Sequence, residues 1–314
     1  MNRAVLPGGT GEIRLADAPL PPAPRKDEVL VRMLYAPVNP ADLLAIDGRY
    51  SFDLPQDQPL GAEGVGLVES VGEAVADLRP GELVMPLERG NWCAMRLLPR
   101  RHLVALPGID PVQAAMLRIN PPTAHLLLRH AGARPGEALI QNGAGSVVAH
   151  WVRAFAARMD IKVIDVVHRP HPATPHALLD GDHLAERARA ASNGRPIRAA
   201  LDCVAGAATG RLASCLAPGG RLLLFGHLSG DPIQVRSQLL TGGGLSIAGF
   251  SLRPAEAALG AAGVHAMFKE LAALHAANPA ALPVRAIIPL SRADEGIALA
   301  RAGGSGRILF DLAQ

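Results

Sequence analysis

The stretch "IQNGAGSVVAHWV", residues 140–152, determines the fold of the central part of the chain. An apolar run ends at a turn that carries Gly143 and Gly145, and residues with helical periodicity follow. Glycines in such a turn let the backbone approach a pyrophosphate, and the helix that follows presents free N–H groups to the anion. A G-x-G-x-x-G pattern needs a third glycine where this chain has Val148, with the small Ala149 next. The turn by itself is therefore either a dinucleotide-binding turn or an ordinary strand-to-helix turn.

Strands and helices alternate around this stretch. Compact apolar runs of strand length end at glycine or polar residues, and helical runs separate them. This alternation predicts an α/β fold with a doubly wound parallel sheet, a Rossmann domain over residues 126–284. Prolines at 170, 172 and 175 oppose a helix after "IKVIDVV", so we expect a loop and then the short helix "DHLAERARAAS". The other strand segments are "EALIQNG", "IRAALDCVAG" and "GRLLLFGHL".

The first part of the chain has a different pattern. Short strands broken by glycine and proline predict a β-rich, barrel-like domain over residues 1–125. Residues 285–314 end in an apolar strand, "RILFDL", that we expect to rejoin this domain. The chain should therefore contain two domains, with the active site in the cleft that they form.

Composition and charge exclude several classes of function. Lys and Arg number 31 against 28 Asp and Glu, without a run of five or six like charges, so we expect no nucleic-acid partner. No apolar stretch reaches about 18 residues and no signal peptide is recognisable, so we expect no membrane partner. Cys93, Cys203 and Cys215 match no metal-binding or disulfide pattern, which favours a cytoplasmic protein.

The end of the strand after the glycine turn indicates which nicotinamide coenzyme is used. NAD-binding proteins usually place an acid there to accept a hydrogen bond from the ribose 2′-hydroxyl. Here His168 and Arg169 follow the strand, and a cation favours a 2′-phosphate. Asp165 lies inside the strand, short of its tip. The residues thus favour NADP(H), the alternative being that Arg169 is a surface arginine.

Motifs along nearly the whole chain resemble one family. Together they are similar to the zinc-independent medium-chain dehydrogenases and reductases, and most similar to the mitochondrial-type 2-enoyl thioester reductases and the NADPH:quinone oxidoreductases. The resemblance implies a GroES-like catalytic domain beside the Rossmann domain. The motifs are "VNPADLLAIDGRY" (38–50), "GAEGVGLVESVG" (61–72), "LRPGELVMP" (78–86), "INPPTAHLLL" (119–128), "GEALIQNGAGSVVAHWV" (136–152), "VVHRP", "LDCVAG", "LLLFGHLS" and "IAGFSL".

The same comparison predicts that no metal is used. Zinc-using members have a G-H-E segment, a cysteine upstream and a lobe of four cysteines, ligands that suit tetrahedral Zn²⁺. This chain has Gly61-Ala62-Glu63 and no cysteine cluster. Without a metal, the natural chemistry is hydride addition to a C=C bond conjugated to a carbonyl group.

Such a reaction needs a hydrogen-bond donor near the carbonyl oxygen or the α-carbon. The resemblance implies that Tyr50 is this donor; alternatively, it is a half-buried packing residue. Asn39 and Asp42 line the active-site floor by resemblance, although Asn-Pro-Ala-Asp is also a good turn and helix-cap sequence.

The resemblance also implies a set of cofactor contacts and shows departures from the family pattern. Val147 and Ala149 replace later glycines of the turn, Ser251 replaces an active-site tryptophan, and Gly306 replaces a lysine that touches the cofactor. The implied contacts are Thr123, Asn142, Gly143, Ala144, Gly145, Ser146, Val147, Val148, Phe225, Gly226, His227, Phe250, Ser251 and Leu252. His168 and Arg169, inferred above from the end of the strand, complete the set of candidate cofactor-binding residues.

The sequence therefore predicts an NADPH-dependent reductase of an activated C=C bond in a small-molecule substrate. An enoyl thioester is the first choice of substrate, with a quinone or an α,β-unsaturated ketone second. A different class remains open, a catalytically silent relative that binds a nucleotide or a partner. The apolar segment "GLSIAGFSL" (244–252) predicts edge-to-edge pairing of two copies, hence a homodimer.

Overall fold

A computed structural model describes residues 1–49, 55–170, 174–277 and 282–313. These residues form two compact units. Unit 1 contains Met1–Ile119 and Val264–Gln314, and unit 2 contains Asn120–Gly263.

The first part of unit 1 is built from β-strands, as its glycine- and proline-broken pattern predicts. Strands β3, β4, β5 and β7 form consecutive antiparallel neighbours, and β6 pairs with β3. The buried side chains pack on a core around Trp92, which is 0% exposed. The elements are β1 (Asn2–Gly9), β2 (Glu12–Ala18), β3 (Glu28–Pro37), α1 (Pro40–Ile46), β4 (Val65–Val71), β5 (Leu83–Pro86), β6 (Met95–Pro99), β7 (Leu103–Ala105) and α2 (Pro111–Ala114).

Unit 2 contains an all-parallel sheet with helices between its strands. Its elements are α3 (Asn120–Ala131), β8 (Ala138–Gln141), α4 (Val147–Arg158), β9 (Lys162–Val167), β10 (Leu178–Leu179), α5 (Leu184–Ala191), β11 (Ile197–Asp202), α6 (Ala207–Cys215), β12 (Arg221–Leu224), α7 (Ser237–Thr241), β13 (Ser246–Gly249) and α8 (Leu252–Ala277), which continues into unit 1.

The strand order of unit 2 confirms the predicted Rossmann domain. The order is β10-β9-β8-β11-β12-β13, and each neighbouring pair is parallel. With β8 as the first strand this is the order 3-2-1-4-5-6 of dinucleotide-binding folds. The chain builds the sheet outward from β8 in one direction and then from β11 in the other, so the topological switch point lies between β8 and β11. All four residues of β8 are buried, as expected of a strand covered by helices on both faces.

Two local features of unit 2 concern prolines. The described residues between β9 and β10, 168–170 and 174–177, contain no helix, which agrees with the shortened connection expected from the prolines. Pro121 and Pro122 lie in the first turn of α3. They therefore begin a helix rather than break one, because proline lacks only an N–H that has no partner in the first turn.

The chain returns to unit 1 for its last elements, β14 (Val284–Pro289), α9 (Ala293–Arg301) and β15 (Arg307–Asp311). Strand β15 pairs antiparallel with β3, so the C-terminal strand does rejoin the first unit. The ring of Phe310 meets Trp92 edge-on at a centroid distance of 4.9 Å.

The unit limits lie earlier in the chain than 125 and 284, the limits expected from the sequence. Helix α3 packs on α4 and on strands β11 and β12, which places Asn120 onward in unit 2. Helix α8 is kinked at Gly260, and its later residues contact unit 1. There His265 Nε2 lies 2.7 Å from the Arg101 carbonyl oxygen, and Arg118 lies over the Phe268 ring.

Candidate active site

The glycine turn leads from β8 directly into α4. Gly145 and Ser146 are exposed, and Ser146 is the N-cap of α4, where its Oγ accepts a hydrogen bond from Ala149 N at 3.2 Å. The other first-turn N–H groups of a helix have no intrahelical partner and can bind an anion. Ala149, near the missing third glycine, is 2% exposed, so a small side chain suffices for the packing.

Gly143 is required by its neighbour in the sheet. Its φ is +60°, and a Cβ built on it would lie 2.4 Å from Cys203 Sγ, at the end of β11. Any other residue would be strained in φ and would collide with that sulfur. This glycine keeps the turn close to β11, at the point where the strand order reverses.

Asn142 connects the ends of β8 and β11. Its Nδ2 donates to Asp202 Oδ1 at 2.6 Å, and its Oδ1 accepts from Cys203 N at 2.8 Å. Both polar atoms of the Asn142 side chain thus bond within the protein, which leaves one Nδ2 proton, one Oδ1 lone pair and the backbone for any contact with a cofactor.

Asp202 is a residue that the sequence analysis missed. It is 0% exposed, and its carboxylate also accepts from Val204 N, Ala205 N and Thr209 Oγ1 at 2.6–3.0 Å. It therefore shapes the loop after β11, in which Ala205 and Gly206 have positive φ. The available signal was an acid ending a buried strand, "IRAALD", directly before a glycine-bearing turn.

The other cofactor candidates of unit 2 lie mostly at the carboxyl ends of the strands. Because carboxyl ends of parallel strands share one edge of the sheet, the structure brings these segments to the same edge. His168 and Arg169 follow β9 and are exposed; Phe225 and Gly226 follow β12 and are half-buried, with His227 exposed. Phe250, Ser251 and Leu252 follow β13, and Phe250 N donates to Leu224 O at 2.8 Å. Thr123 is buried in the first turn of α3.

Asn39 and Asp42 lie at the start of α1 in unit 1. Asp42 is 1% exposed, and its carboxylate accepts from Asn39 N at 3.0 Å, Ala62 N at 2.9 Å and Arg89 Nη2 at 3.2 Å. Burial raises the pKa of Asp42, whereas the Arg89 charge and the two backbone donors lower it. Both carboxylate oxygens are therefore engaged in holding the turn. Tyr50 lies outside the described residues.

Asn39 is held by a second buried acid, Glu63, which the sequence analysis did not select. Asn39 Nδ2 donates to Glu63 Oε1 at 2.9 Å, and Ile119 N donates to Glu63 Oε2 at 2.9 Å. Within the described residues, Oδ1 of Asn39 accepts no hydrogen bond although the residue is 2% exposed. The amide is thus oriented with its donor toward Glu63 and its acceptor left over.

The surroundings of Glu63 combine burial with positive charge. Burial raises the pKa of Glu63 to about 7, while the Asn39 hydrogen bond, the Arg307 charge and the Ile119 N–H lower it. Burial also lowers the pKa of the Arg307 guanidinium, against the opposing effect of Glu63 and Asp42. The signal for Glu63 was an acid two residues before the buried strand segment "VGLV".

The described residues hold neither a cluster suited to a metal ion nor a helix suited to a membrane. Across the four described ranges, no three His, Cys, Asp or Glu side chains lie together in an arrangement that could hold a metal ion. Burial raises the pKa of the Cys93, Cys203 and Cys215 thiols to about 11, 12 and 12. Among the described residues, no helix is both long and apolar enough to cross a bilayer.

Comparison with known proteins defines the class of this chain. Residues 25–119 match the alcohol dehydrogenase GroES-like domain. The fold is similar to a Bacillus thuringiensis protein assigned as an NADPH:quinone reductase, with a TM-score of 0.86, 24% identity, and coverage of 99% of this chain and 98% of that one. It is also similar to a mitochondrial 2-enoyl thioester reductase heterodimer from Candida tropicalis, with a TM-score of 0.85, 22% identity and 99% coverage of both chains. A GroES-like domain with a Rossmann sheet places this chain in the medium-chain dehydrogenase/reductase superfamily.

Relatives with higher identity define the family. The chain is 33% identical over 244 residues to the mitochondrial enoyl-[acyl-carrier-protein] reductase of Xenopus tropicalis, covering 72% of this chain and 69% of that one. It is 33% identical over 243 residues to the Mus musculus reductase, of which it spans slightly less than two thirds, 65%. The chain belongs to the enoyl-[acyl-carrier-protein] reductase family, which confirms the resemblance found in the sequence.

Proposed function

We propose that this protein transfers a hydride from NADPH to the C=C bond of a trans-2-enoyl thioester. The observation that carries the proposal is the similarity to enoyl-[acyl-carrier-protein] reductases over 72% of the chain. Two features of the described residues support it. Unit 2 has the strand order and glycine turn of a dinucleotide-binding fold, and unit 1 holds a buried, oriented amide in the segment that carries Tyr50.

The turn before α4 has the donors that a dinucleotide pyrophosphate needs. Gly145 and Ser146 are exposed, and the helix start presents N–H groups and the positive end of its dipole. Val147 and Val148, in the first turn of α4, are half-buried. The residues present therefore fit the phosphates of the coenzyme despite the missing third glycine.

NADPH is proposed over NADH because of the charges at the end of β9. Asp165, the acid nearest the tip of this strand, has its carboxylate engaged by Arg153 and Gln141. Arg169 follows the strand and is exposed, so a cation is available for the 2′-phosphate.

The coenzyme and the polar side chains of unit 1 have different proposed roles in the reaction. NADPH, when bound, supplies the hydride that reduces the β-carbon, and negative charge then moves toward the thioester oxygen. We assign to Tyr50 the proton that reaches the α-carbon, or the hydrogen bond to that oxygen. Within the described residues, Oδ1 of Asn39 accepts no hydrogen bond and is an available acceptor in the same segment. Glu63 holds the side-chain amide of Asn39, and Asp42 holds its backbone N–H.

The two tyrosines of the chain provide a matched test of the Tyr50 assignment. We expect Tyr50→Phe to lower the rate of NADPH consumption with trans-2-enoyl-CoA at least about a hundredfold, the usual contribution of a positioned proton donor. Tyr35→Phe, a change of the same hydroxyl on β3, should leave the rate near that of the wild type. Short- and long-chain thioesters and a quinone are measured in one assay. Equal rates for both variants would remove Tyr50 from the mechanism.

Reduction of a quinone or a small enone is the second candidate function. Gly306 has a φ of +88°, and a Cβ there would lie 2.9 Å from Arg285 N, so this backbone cannot carry the lysine found in enoyl reductases. Ser251 is exposed where those enzymes have a tryptophan. Turnover of the quinone alone would select this candidate. Absence of NADPH binding in a fluorescence titration would select the silent relative.

We also propose an oligomeric state and a cellular location for this protein. Strand β13 is hydrogen-bonded to β12 on one side and is the edge of the described sheet, which supports a homodimer formed by pairing of two such edges. Light scattering should then give twice the 32.7 kDa of one chain.

The cytoplasm is our proposed location. The three free, buried cysteines support a reducing compartment, although the relatives are mitochondrial enzymes.

A further inference from the structure

The Arg153–Asp165 ion pair, already noted in the choice of coenzyme, lies next to the glycine turn. Asp165 lies on β9, two residues before its end, and its side chain points toward α4. Arg153 Nη1 lies 3.2 Å from Asp165 Oδ1 and 3.1 Å from Oδ2. Gln141 Nε2, on β8, donates to Asp165 Oδ1 at 2.8 Å. The Asp165 side chain is 16% exposed and that of Arg153 is 29% exposed, so the pair is only partly screened by water.

The same guanidinium also contacts the turn. Arg153 Nη1 donates to the carbonyl oxygen of Ala144 at 2.9 Å, and Gln141 Nε2 lies 3.3 Å from the Ala149 carbonyl oxygen. One arginine therefore joins the turn, the helix and the acid of the neighbouring strand. The position of Arg153, in the second turn of α4, is what allows it to reach all three.

Asp165 lies near the end of the strand at which dinucleotide-binding folds recognise the ribose 2′ position, so its charge affects the choice of coenzyme. Side chains alternate along a strand, so Asp165 and Val167 point to the same face of β9, and Val167 occupies the tip. A free carboxylate near this tip favours a ribose 2′-hydroxyl, which can donate a hydrogen bond, and repels a 2′-phosphate. A carboxylate paired with arginine does neither to the same extent, because the two charges largely cancel.

We infer that Arg153 is a specificity-determining residue, which neutralises Asp165 and thereby lets the coenzyme site select NADPH over NADH. The inference rests on the proposed function, since it requires a nicotinamide coenzyme at this turn. The inference goes beyond the proposed function because it assigns coenzyme selectivity to Arg153 on α4, and not only to the residues that follow β9. A purely structural role for Arg153, pinning the turn through Ala144, predicts something different: both coenzymes would lose affinity equally.

The test measures dissociation constants of NADPH and NADH by fluorescence titration of the full chain. Arg153→Met removes the charge but keeps an unbranched side chain. We expect it to shift the affinity ratio toward NADH by about fivefold or more, because the uncompensated Asp165 charge then repels the 2′-phosphate. Arg153→Met with Asp165→Asn should return the ratio to that of the wild type, since no uncompensated charge remains.

A conservative variant separates charge from hydrogen bonding. Arg153→Lys keeps the positive charge but loses the forked geometry that reaches Asp165 and Ala144 together. We expect it to weaken both coenzymes while leaving their ratio nearly unchanged, which makes it the charge-retaining control. If Arg153→Met does not fold, Arg153→Gln, which also removes the charge, takes its place and should shift the ratio toward NADH. An equal loss for both coenzymes in Arg153→Met, or a double variant that fails to restore the ratio, would overturn the inference.

The wild-type titration separates the role of Arg153 from the proposed function. Binding of NADPH by the wild type together with an unchanged ratio in the variants would refute the role of Arg153 and leave the proposed function intact. Binding of neither coenzyme by the wild type would refute both.

Discussion

At the residue scale, the site depends on buried polar groups whose partners are supplied by the protein. Asp202, Glu63 and Asp42 are at most 1% exposed, and each accepts two or more hydrogen bonds. Such groups are costly to bury unless paired, so their presence indicates positions where geometry has to be held. Glu63 holds Asn39, and Asp202 holds Asn142.

Glu63 gives a pH-dependent prediction. Its pKa is about 7 in the folded protein because of burial, against an ordinary value of 4.5. Between these values the folded state binds a proton that the unfolded state has lost, so this group's contribution to stability decreases as pH rises from about 4.5 to about 7. We expect Glu63→Gln, which does not titrate, to lose less stability than the wild type between pH 5 and pH 8, by up to roughly 3 kcal/mol.

Urea unfolding at the two pH values measures this difference. A Trp151→Phe background leaves Trp92, in the same unit as Glu63, as the only tryptophan reporter. Glu69→Gln, a change of the same type at a partly exposed position on β4, is the control and should follow the wild type at both pH values. If Glu63→Gln shows the same pH dependence as the wild type, Glu63 does not titrate in this range.

At the element scale, helix α4 carries both the cap and the proposed phosphate contacts. Ser146→Ala removes the N-cap acceptor and should lower the free energy of unfolding by about 1 kcal/mol. Ser146→Asp retains a good cap, so the stability should stay near that of the wild type, but its negative charge should weaken NADPH binding by repulsion.

Unfolding followed by Trp151 fluorescence, in a Trp92→Phe background, and NADPH titration give the two readouts. The pair of variants separates helix stability from anion binding. Retained NADPH affinity in Ser146→Asp would mean that the pyrophosphate does not lie at the start of α4.

At the scale of the whole molecule, coenzyme binding should stabilise the Rossmann unit. NADP⁺ at about 100 times its dissociation constant contributes about 2.7 kcal/mol. For a unit of this size, that corresponds to an increase in melting temperature of roughly 5–10 °C. Trp151 reports on this unit and Trp92 on the other, so single-tryptophan variants show which transition moves.

NAD⁺ at the same concentration is the control and should give a smaller shift. A shift of equal size with both coenzymes would contradict selectivity for the 2′-phosphate, and no shift with either would contradict coenzyme binding.

The sequence by itself determined the class of fold and the location of the turn. Periodicity identified β8, α4, β9, β11 and β12, because strand and helix patterns are local and the glycine turn between them is read directly. Motif spacing then indicated the family, which the relatives confirm. The proline-rich connection after β9 was also predictable, since proline excludes a helix regardless of what packs around it.

Only the tertiary structure decided which side chains satisfy one another. Asn142 and Asp202 are 60 residues apart in the chain, and Asn39 and Glu63 are 24 apart, so no local pattern could pair them. Asp165 was visible in the sequence as an acid on the coenzyme strand, but its partner Arg153 was an unremarked residue of a helix. Charge pairing depends on which helix covers which strand, and packing of the whole sheet fixes that arrangement.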